Sequence, residues 1–172
     1  YVNPLEVWPE NCLKRTSMEH VKPVRQKWFG VACCPPNIAR TLASLGQYIY
    51  GRDEDSIFVN LYVSNETETQ INGVSCKLTM DSDFLKNGNV KISLRSGQDS
   101  SGKLALRIPG YSRRFQVSRN GKEIDSPRTE KGYLILEDLK AEEMITVSCD
   151  MKARFIHANP EVRADEGRTA IM

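Results

Sequence analysis

Hydrophobic residues recur along this chain at two different spacings, and the spacing changes close to residue 50. Before that point they fall every three or four positions, at Ile38, Leu42, Leu45 and Ile49. This spacing predicts one amphipathic helix over residues 37–50. From residue 56 onward apolar and polar residues alternate, as they do in a half-buried strand. We therefore expect a short front part with one helix, followed by a longer part made of strands.

The alternating part opens on a β-branched and aromatic run over residues 57–63, which is typical of a buried strand. Shorter alternating segments follow over residues 74–80, 90–95, 103–108, 115–119, 133–136, 144–149, 152–157 and 168–172. Asn72-Gly73 and Asn120-Gly121 indicate hairpins, because both central residues of a type I′ turn need a positive φ. Short strands without a helical period predict a mainly β chain, an antiparallel, jelly-roll-like β-sandwich over residues 51–172.

The composition predicts a globular chain and excludes two classes of partner. The chain has 172 residues, 40% hydrophobic and 27% charged, which is enough for one domain or one domain with an appendage. Its 24 basic and 22 acidic residues are interspersed, so we expect no nucleic-acid partner and no membrane attachment. The chain starts at Tyr1 without a methionine, and we therefore expect a fragment of a longer protein. Its compartment stays open, with the cytoplasm slightly favoured.

The residues that could carry chemistry are concentrated at two adjacent cysteines, Cys33 and Cys34, which precede Pro35 and Pro36. The five cysteines form an odd set without framework spacing, which argues against a disulfide-stapled secreted module. A bond between the adjacent pair is disfavoured, because neighbouring Cα atoms lie about 3.8 Å apart and disulfides need at least about 4.4 Å. Proline is tolerated in the first helical turn, so we expect the pair at or just before a helix start. There the helix dipole and unpaired amides lower the pKa of a thiol.

A thiolate at a helix start can be a nucleophile or a zinc ligand, and the residues alone leave both possibilities open. Two adjacent thiolates can share one metal only if the backbone turns between them. Two ligands are also too few, since zinc usually takes four. Cys12, Glu19 and His20 are the nearest further candidates, but they lack a metal-binding spacing. A structural role for the pair also stays open, because cysteine often acts as a small buried hydrophobe.

Other polar residues indicate no second site. Cys76 and Cys149 alternate within strand patterns, and we expect them in the core. Two acidic pairs are interpreted as solvated loop charges: Glu66 with Glu68, and Glu142 with Glu143. The sequence has neither a phosphate-binding loop nor the glycine pattern of a dinucleotide site.

Short segments at the front of the chain form a distinctive set. They are Tyr1-Val2-Asn3-Pro4-Leu5-Glu6, Trp28-Phe29, Ala32-Cys33-Cys34-Pro35-Pro36-Asn37-Ile38-Ala39-Arg40 and Leu42-Ala43-Ser44-Leu45-Gly46-Gln47-Tyr48-Ile49-Tyr50. Together they closely resemble glycoside hydrolase family 127, the β-L-arabinofuranosidases. Asn159-Pro160 and residues 167–170 near the end also resemble the family, whose chain would continue past Met172. The match is dense over residues 1–63 and looser beyond.

In that family an N-terminal (α/α)₆ barrel carries the active site, and β-sandwich domains follow it. The resemblance implies that residues 1–50, a loop plus one helix, end the barrel and that residues 51–172 form the first sandwich. It also implies that Cys33 is the nucleophile and a zinc ligand, that Cys34 is a second zinc ligand, and that Tyr1 contacts the sugar. The family's Glu-x-Cys zinc ligands and its acid/base glutamate would lie upstream of Tyr1. We therefore expect no acid/base residue in this chain.

The implied function is a retaining, zinc-dependent glycosidase that removes L-arabinofuranose or a related sugar. The substrate is a carbohydrate, and this chain would be an inactive part that packs against the missing barrel. One alternative is a non-catalytic β-sandwich that binds carbohydrate or serves as a scaffold, with Tyr62, Tyr111 and Tyr133 as possible stacking residues. A second alternative is a redox-sensing cysteine pair.

Overall fold

A computed structural model describes residue 30 and residues 32–172 of the chain. The chain divides into two compact units, residues 1–44 and residues 45–172. In the first unit the structure describes one helix, α1, over Cys34–Ser44. The loop predicted before residue 30 lies outside the described residues. Within the described ranges, no helix is long and apolar enough to cross a membrane.

The helix predicted over residues 37–50 is wrong in extent, because two helices replace it. Helix α1 ends at Ser44, and a short helix α2 over Gly46–Ile49 begins the second unit. The Ser44 hydroxyl donates back to the carbonyl oxygens of Arg40 and Thr41 at 2.9 and 3.3 Å. Such bonds compete with the regular helix ladder, and the glycine at position 46 adds to the cost of continuing it.

The second unit contains thirteen strands, two short helices and a 3₁₀ turn. The strands are β1 Tyr50–Arg52, β2 Ser56–Val59, β3 Asn65–Ile71, β4 Val74–Ser82, β5 Asn89–Ser96, β6 Lys103–Arg107, β7 Phe115–Arg119, β8 Lys122–Glu123, β9 Thr129–Glu130, β10 Tyr133–Leu136, β11 Glu142–Cys149, β12 Phe155–His157 and β13 Thr169–Ile171. Helix α3 spans Phe84–Asn87, and the 3₁₀ turn spans Arg163–Asp165.

The strands form two larger sheets and one separate hairpin. The five-stranded sheet has the order β1-β2-β6-β10-β9, the six-stranded sheet has the order β3-β4-β5-β11-β7-β8, and β12 pairs with β13. Neighbouring strands run antiparallel, apart from β2 and β6, which pair in parallel with Ile57 opposite Leu104. The mainly β, antiparallel architecture that the alternation predicts is therefore confirmed, with one parallel pair added.

The two sheets enclose one hydrophobic core. On strands β4, β5, β10 and β11 alternate side chains point into it, which is the period of two that the sequence displays. The five-stranded sheet contributes Ile57, Val59, Leu104, Leu106, Leu134 and Leu136, and the six-stranded sheet contributes Leu78, Met80, Ile92, Leu94, Val117, Ile145 and Val147. Cys76 and Cys149 are buried in the same cluster, so their predicted core positions are confirmed.

Both predicted hairpin turns have the expected backbone. Asn72 and Gly73 have φ values of 48° and 76° between β3 and β4, and Asn120 and Gly121 have φ values of 52° and 78° between β7 and β8. A third turn of this kind, Lys131-Gly132, joins β9 to β10 with φ values of 49° and 85°. The sequence does not predict it, because lysine rarely takes a positive φ.

The interpretation of Glu142 and Glu143 as solvated loop charges is wrong in location for both residues and wrong in solvation for Glu143, whereas Glu142 is exposed as predicted. Both lie in strand β11, and Glu143 is on its core-facing side with 3% of its surface exposed. Arg119 Nε donates to both carboxylate oxygens of Glu143 at 3.0 and 2.9 Å. Asn120 Nδ2 and the Lys140 amide donate to the same carboxylate at 3.0 and 2.8 Å. Although burial opposes ionisation, these donors hold the pKa of Glu143 below its usual value.

The other acidic pair, Glu66 and Glu68, lies in strand β3 and not in a loop. Both side chains are exposed, and Glu66 forms an ion pair with Lys77 of β4. The predicted solvation is right and the predicted location is wrong. The alternation of glutamate and threonine on this strand is that of a sheet face turned to solvent.

Candidate active site

The two adjacent cysteines lie at the N-terminus of helix α1. Cys33 immediately precedes the helix, Cys34 is its first residue, and both side chains are exposed. Their Sγ atoms lie 3.8 Å apart, whereas the sulfur atoms of a disulfide are only about 2.05 Å apart. The two cysteines are therefore joined by a thiol–thiol hydrogen bond and not by a disulfide. The start of the helix supplies the backbone turn that brings two neighbouring thiols to one side.

The helix start provides fewer amide donors than we expect from its position. The first four N–H groups of a helix have no partner inside it. Here the second and third positions are Pro35 and Pro36, which have no N–H. The Asn37 amide follows them and donates to the Cys33 carbonyl at 3.3 Å, which is the first i→i−4 bond of the helix. The dipole of α1 can still favour a thiolate, but the contribution of unpaired amides is smaller than the sequence suggests.

Asn37 also contacts Cys33 through its side chain. Its Nδ2 atom donates to the Cys33 carbonyl oxygen at 2.8 Å. The Arg40 guanidinium donates to Asn37 Oδ1 at 2.7 Å, and the Thr41 hydroxyl donates to the Asn37 carbonyl at 2.8 Å. Sequence reasoning did not single out these residues, although asparagine one helical turn after a cysteine is within reach of its backbone.

Several residues named from the sequence lie outside the described part of the chain. These are Tyr1 and the further metal-ligand candidates Cys12, Glu19 and His20. Among residues 30 and 32–172, no group of three or more histidine, cysteine, aspartate or glutamate side chains could hold a metal ion. A four-ligand site at Cys33 and Cys34 would therefore need ligands from beyond the described residues.

The three tyrosines of the sugar-binding alternative have separate surroundings. Tyr62 packs on the core beside Phe84, and its hydroxyl donates to the Arg107 carbonyl at 2.8 Å. Burial raises the pKa of Tyr62 well above its ordinary value. The Tyr133 hydroxyl donates to Asn60 Oδ1 at 2.7 Å. Tyr111, whose side chain is 39% exposed, is the most accessible of the three rings. Together they do not form an exposed aromatic platform.

A cavity of about 320 Å³ lies on the outer face of the five-stranded sheet. Phe58 and Tyr133 meet edge to face in its lining, with ring centroids 5.3 Å apart. Two of its lining cations are already paired, Lys103 with Asp55 at 3.1 Å and Arg128 with acidic neighbours. These ion pairs neutralise the two cations, and the exposed cysteine pair is the stronger candidate site.

Comparisons with known proteins identify the family to which this chain belongs. The family model described as beta-L-arabinofuranosidase, GH127 middle domain, matches residues 56–151, which is more than half of the chain. The chain belongs to glycoside hydrolase family 127. This confirms the resemblance that the cysteine motif and its neighbours indicate.

Two relatives in family 127 match the whole chain. The non-reducing end beta-L-arabinofuranosidase of Bifidobacterium longum subsp. longum is 35% identical over 181 residues, covering 100% of this chain and 26% of that protein. The crystal structure of a GH127 beta-L-arabinofuranosidase from Geobacillus stearothermophilus T6 is 41% identical, with a TM-score of 0.86. It covers 100% of this chain and 27% of that one.

A further family 127 structure, of a beta-arabinofuranosidase, is 32% identical with a TM-score of 0.74, covering 86% of this chain and 26% of that one. The chain thus spans about a quarter of the length of each of these three relatives. The matches to the first two relatives cover both compact units of this chain.

The cysteines of this family 127 chain should separate into two reactivity classes. Cys33 and Cys34 are exposed, whereas burial raises the pKa of the Cys76 and Cys149 thiols. After chelation of any metal, we expect iodoacetamide to label the exposed pair at least about tenfold faster than the buried pair at pH 8.

Mass spectrometry of the labelled peptides measures these rates, and denaturant should abolish the difference. Cys76 serves as the internal control for Cys149, because both lie in the same core. Labelling of Cys76 in the folded chain at the rate of Cys33 would contradict the structure.

Proposed function

We propose that this chain is part of a family 127 glycosidase that removes L-arabinofuranose or a related sugar, with Cys33 as its nucleophile. The single observation that carries the proposal is the exposed cysteine pair at the start of α1, with its two Sγ atoms 3.8 Å apart. A thiolate is a good nucleophile toward a saturated or acyl carbon, and covalent catalysis needs one that is accessible. The relatives' names describe the activity expected of the complete protein.

The same pair fits a zinc ion. A zinc–sulfur bond is about 2.3 Å long, and two ligands of a tetrahedral ion then have sulfur atoms about 3.8 Å apart. The Sγ atoms of Cys33 and Cys34 have this separation. The resemblance to the family supplies two further ligands in a Glu-x-Cys motif before Tyr1. Bound zinc would keep both thiols deprotonated at neutral pH.

Cys33 and Cys34 have different roles in this mechanism. Cys33 Sγ attacks the anomeric carbon of the arabinofuranoside, the glycosidic bond breaks, and an acid/base glutamate from outside this chain protonates the leaving oxygen. The same glutamate then deprotonates a water molecule, which displaces the sulfur and releases the sugar with retained configuration. Cys34 is a ligand only, and Tyr1 is proposed to contact the sugar.

We also propose that the first unit belongs to the catalytic barrel and packs against chain that precedes Tyr1. Two apolar side chains of α1 that lie one turn apart, Ile38 and Leu42, are 61% and 68% exposed. An apolar stripe of this kind on a helix is normally covered. The sandwich of the second unit would then stabilise the barrel without taking part in the chemistry.

The complete enzyme should hydrolyse an aryl β-L-arabinofuranoside, whereas residues 1–172 alone should not. The reason is that this chain supplies the nucleophile without the acid/base residue and with only half of the zinc ligands. Release of the aryl group measures hydrolysis, and proton NMR of the first product shows its configuration. Turnover by the 172-residue chain would contradict the fragment assignment, and initial release of the inverted sugar would contradict a covalent intermediate.

A further inference from the structure

We propose that Asn37 is a positioning residue for the cysteine pair, acting on the peptide bond that joins Cys33 to Cys34. The inference rests on the proposed function and deepens it. Asn37 donates twice to the Cys33 carbonyl oxygen, from its side chain at 2.8 Å and from its backbone amide at 3.3 Å. A carbonyl oxygen has two lone pairs, so one residue satisfies both.

The location of this oxygen explains why it matters for both thiols. The six atoms of a peptide unit are coplanar, and the Cys33 carbonyl lies in the same plane as the Cα atoms of Cys33 and Cys34. Holding the oxygen therefore fixes the orientation of the unit from which both side chains extend. The separation of 3.8 Å between the Sγ atoms depends on that orientation.

The residues next to the cysteine pair provide few backbone donors that could hold the Cys33 carbonyl oxygen, so a side chain is needed for this hydrogen bond. Pro35 and Pro36 fix the backbone of the first turn but provide no N–H to hold Cys33. The Asn37 amide is then the first helix amide after Cys34, and its single bond to the carbonyl is long at 3.3 Å. The side-chain bond at 2.8 Å is the shorter of the two and the one that substitution can remove.

Asn37 is itself oriented by its neighbours on α1. The Arg40 guanidinium donates to Oδ1 at 2.7 Å, which leaves Nδ2, the donor end of the amide, directed at Cys33. The Thr41 hydroxyl donates to the Asn37 backbone carbonyl at 2.8 Å and not to the side-chain amide. Arg40 therefore supports the orientation of the amide, and Thr41 provides a matched position for a control.

The test compares four variants of the complete enzyme: Asn37→Ala, Asn37→Asp, Thr41→Val and Cys33→Ser. Aspartate keeps the oxygen that accepts from Arg40 but lacks the donor to Cys33, and alanine, which adds no charge, controls for the negative charge that aspartate introduces. Removing such an outer-shell contact typically costs about 10–100-fold in metal affinity or activity. We expect both Asn37 variants to lose kcat by that factor, with KM little changed, and to lose zinc to a competing chelator at correspondingly lower chelator concentration.

Thr41→Val should stay within about twofold of wild type in both measurements, as an exposed substitution usually does. Wild-type kcat and zinc retention in Asn37→Asp would overturn the proposal, and so would an equal loss in Thr41→Val, which would indicate general weakening of the helix. If Asn37→Ala does not fold, Asn37→Asp gives the decision. Full activity of Cys33→Ser would instead refute the proposed function, while the zinc measurement would still report on Asn37.

Discussion

Replacing Cys33 by serine in the complete enzyme should reduce kcat by roughly 10⁴-fold or more, the scale on which hydrolases lose activity without their nucleophile. Serine has nearly the same shape, but its hydroxyl is not ionised at neutral pH and is a much weaker nucleophile than a thiolate. Cys33 is exposed before the first turn of α1, so the substitution leaves the core intact. Hydrolysis of an aryl β-L-arabinofuranoside measures the loss.

Two further cysteine variants are compared with Cys33→Ser, which removes the nucleophile and one proposed zinc ligand together: one removes a zinc ligand alone, and the other removes a core thiol. Cys34→Ser should lower zinc content as well as activity, because it removes a ligand without removing the nucleophile. Cys76→Ala removes a thiol in the core of the sandwich, far along the chain from the candidate site, and should keep kcat within about threefold at temperatures where it stays folded. Activity of Cys33→Ser within tenfold of wild type would contradict the assignment of the nucleophile.

The sequence predicts most of the sandwich because apolar and polar residues alternate along most of its strands. On strands β7 and β10 the alternation of apolar and polar residues gives the observed limits, residues 115–119 and 133–136. Strand β3 departs from this pattern, since Ile71 is its one buried residue and its exposed positions are Glu66, Glu68 and Gln70. The turn at Asn72-Gly73 does imply a strand before it, because a hairpin needs two.

At the candidate site, local chemistry is predictable from the sequence and contacts are not. Two cysteines followed by two prolines indicate a helix start, and the structure places the helix there. The 3.8 Å between the sulfur atoms depends on backbone angles that no spacing in the sequence reveals. The same holds for Asn37, whose hydrogen bond to Cys33 is one of several that an asparagine near a helix N-terminus could form.

Replacing Glu143 by alanine should destabilise the sandwich by about 3 kcal/mol, the lower end of the range for breaking a buried ion pair. The lower end applies because the Arg119 side chain remains 25% exposed, whereas that of Glu143 is fully buried. Arg119 also donates to the carbonyl oxygens of Glu137 and Asp138, so it ties the β10–β11 connection to β7. For a chain of this size, the loss corresponds to a fall of roughly 6–12 °C in Tm, which calorimetry measures.

Glu142→Ala is the matched control, because Glu142 is the adjacent residue of β11 and its side chain is exposed. We expect it to change the free energy of unfolding by less than about 0.5 kcal/mol. Acid gives a second measure of the Glu143 contribution, since the pKa of this carboxyl is lowered in the folded state. Its contribution is fully present above the unfolded pKa of about 4.3 and is lost as the pH falls through the folded value. Glu143→Gln, which has no charge to lose, should therefore show a shallower loss of stability below pH 4 than wild type, and equal slopes would contradict a role for the ion pair.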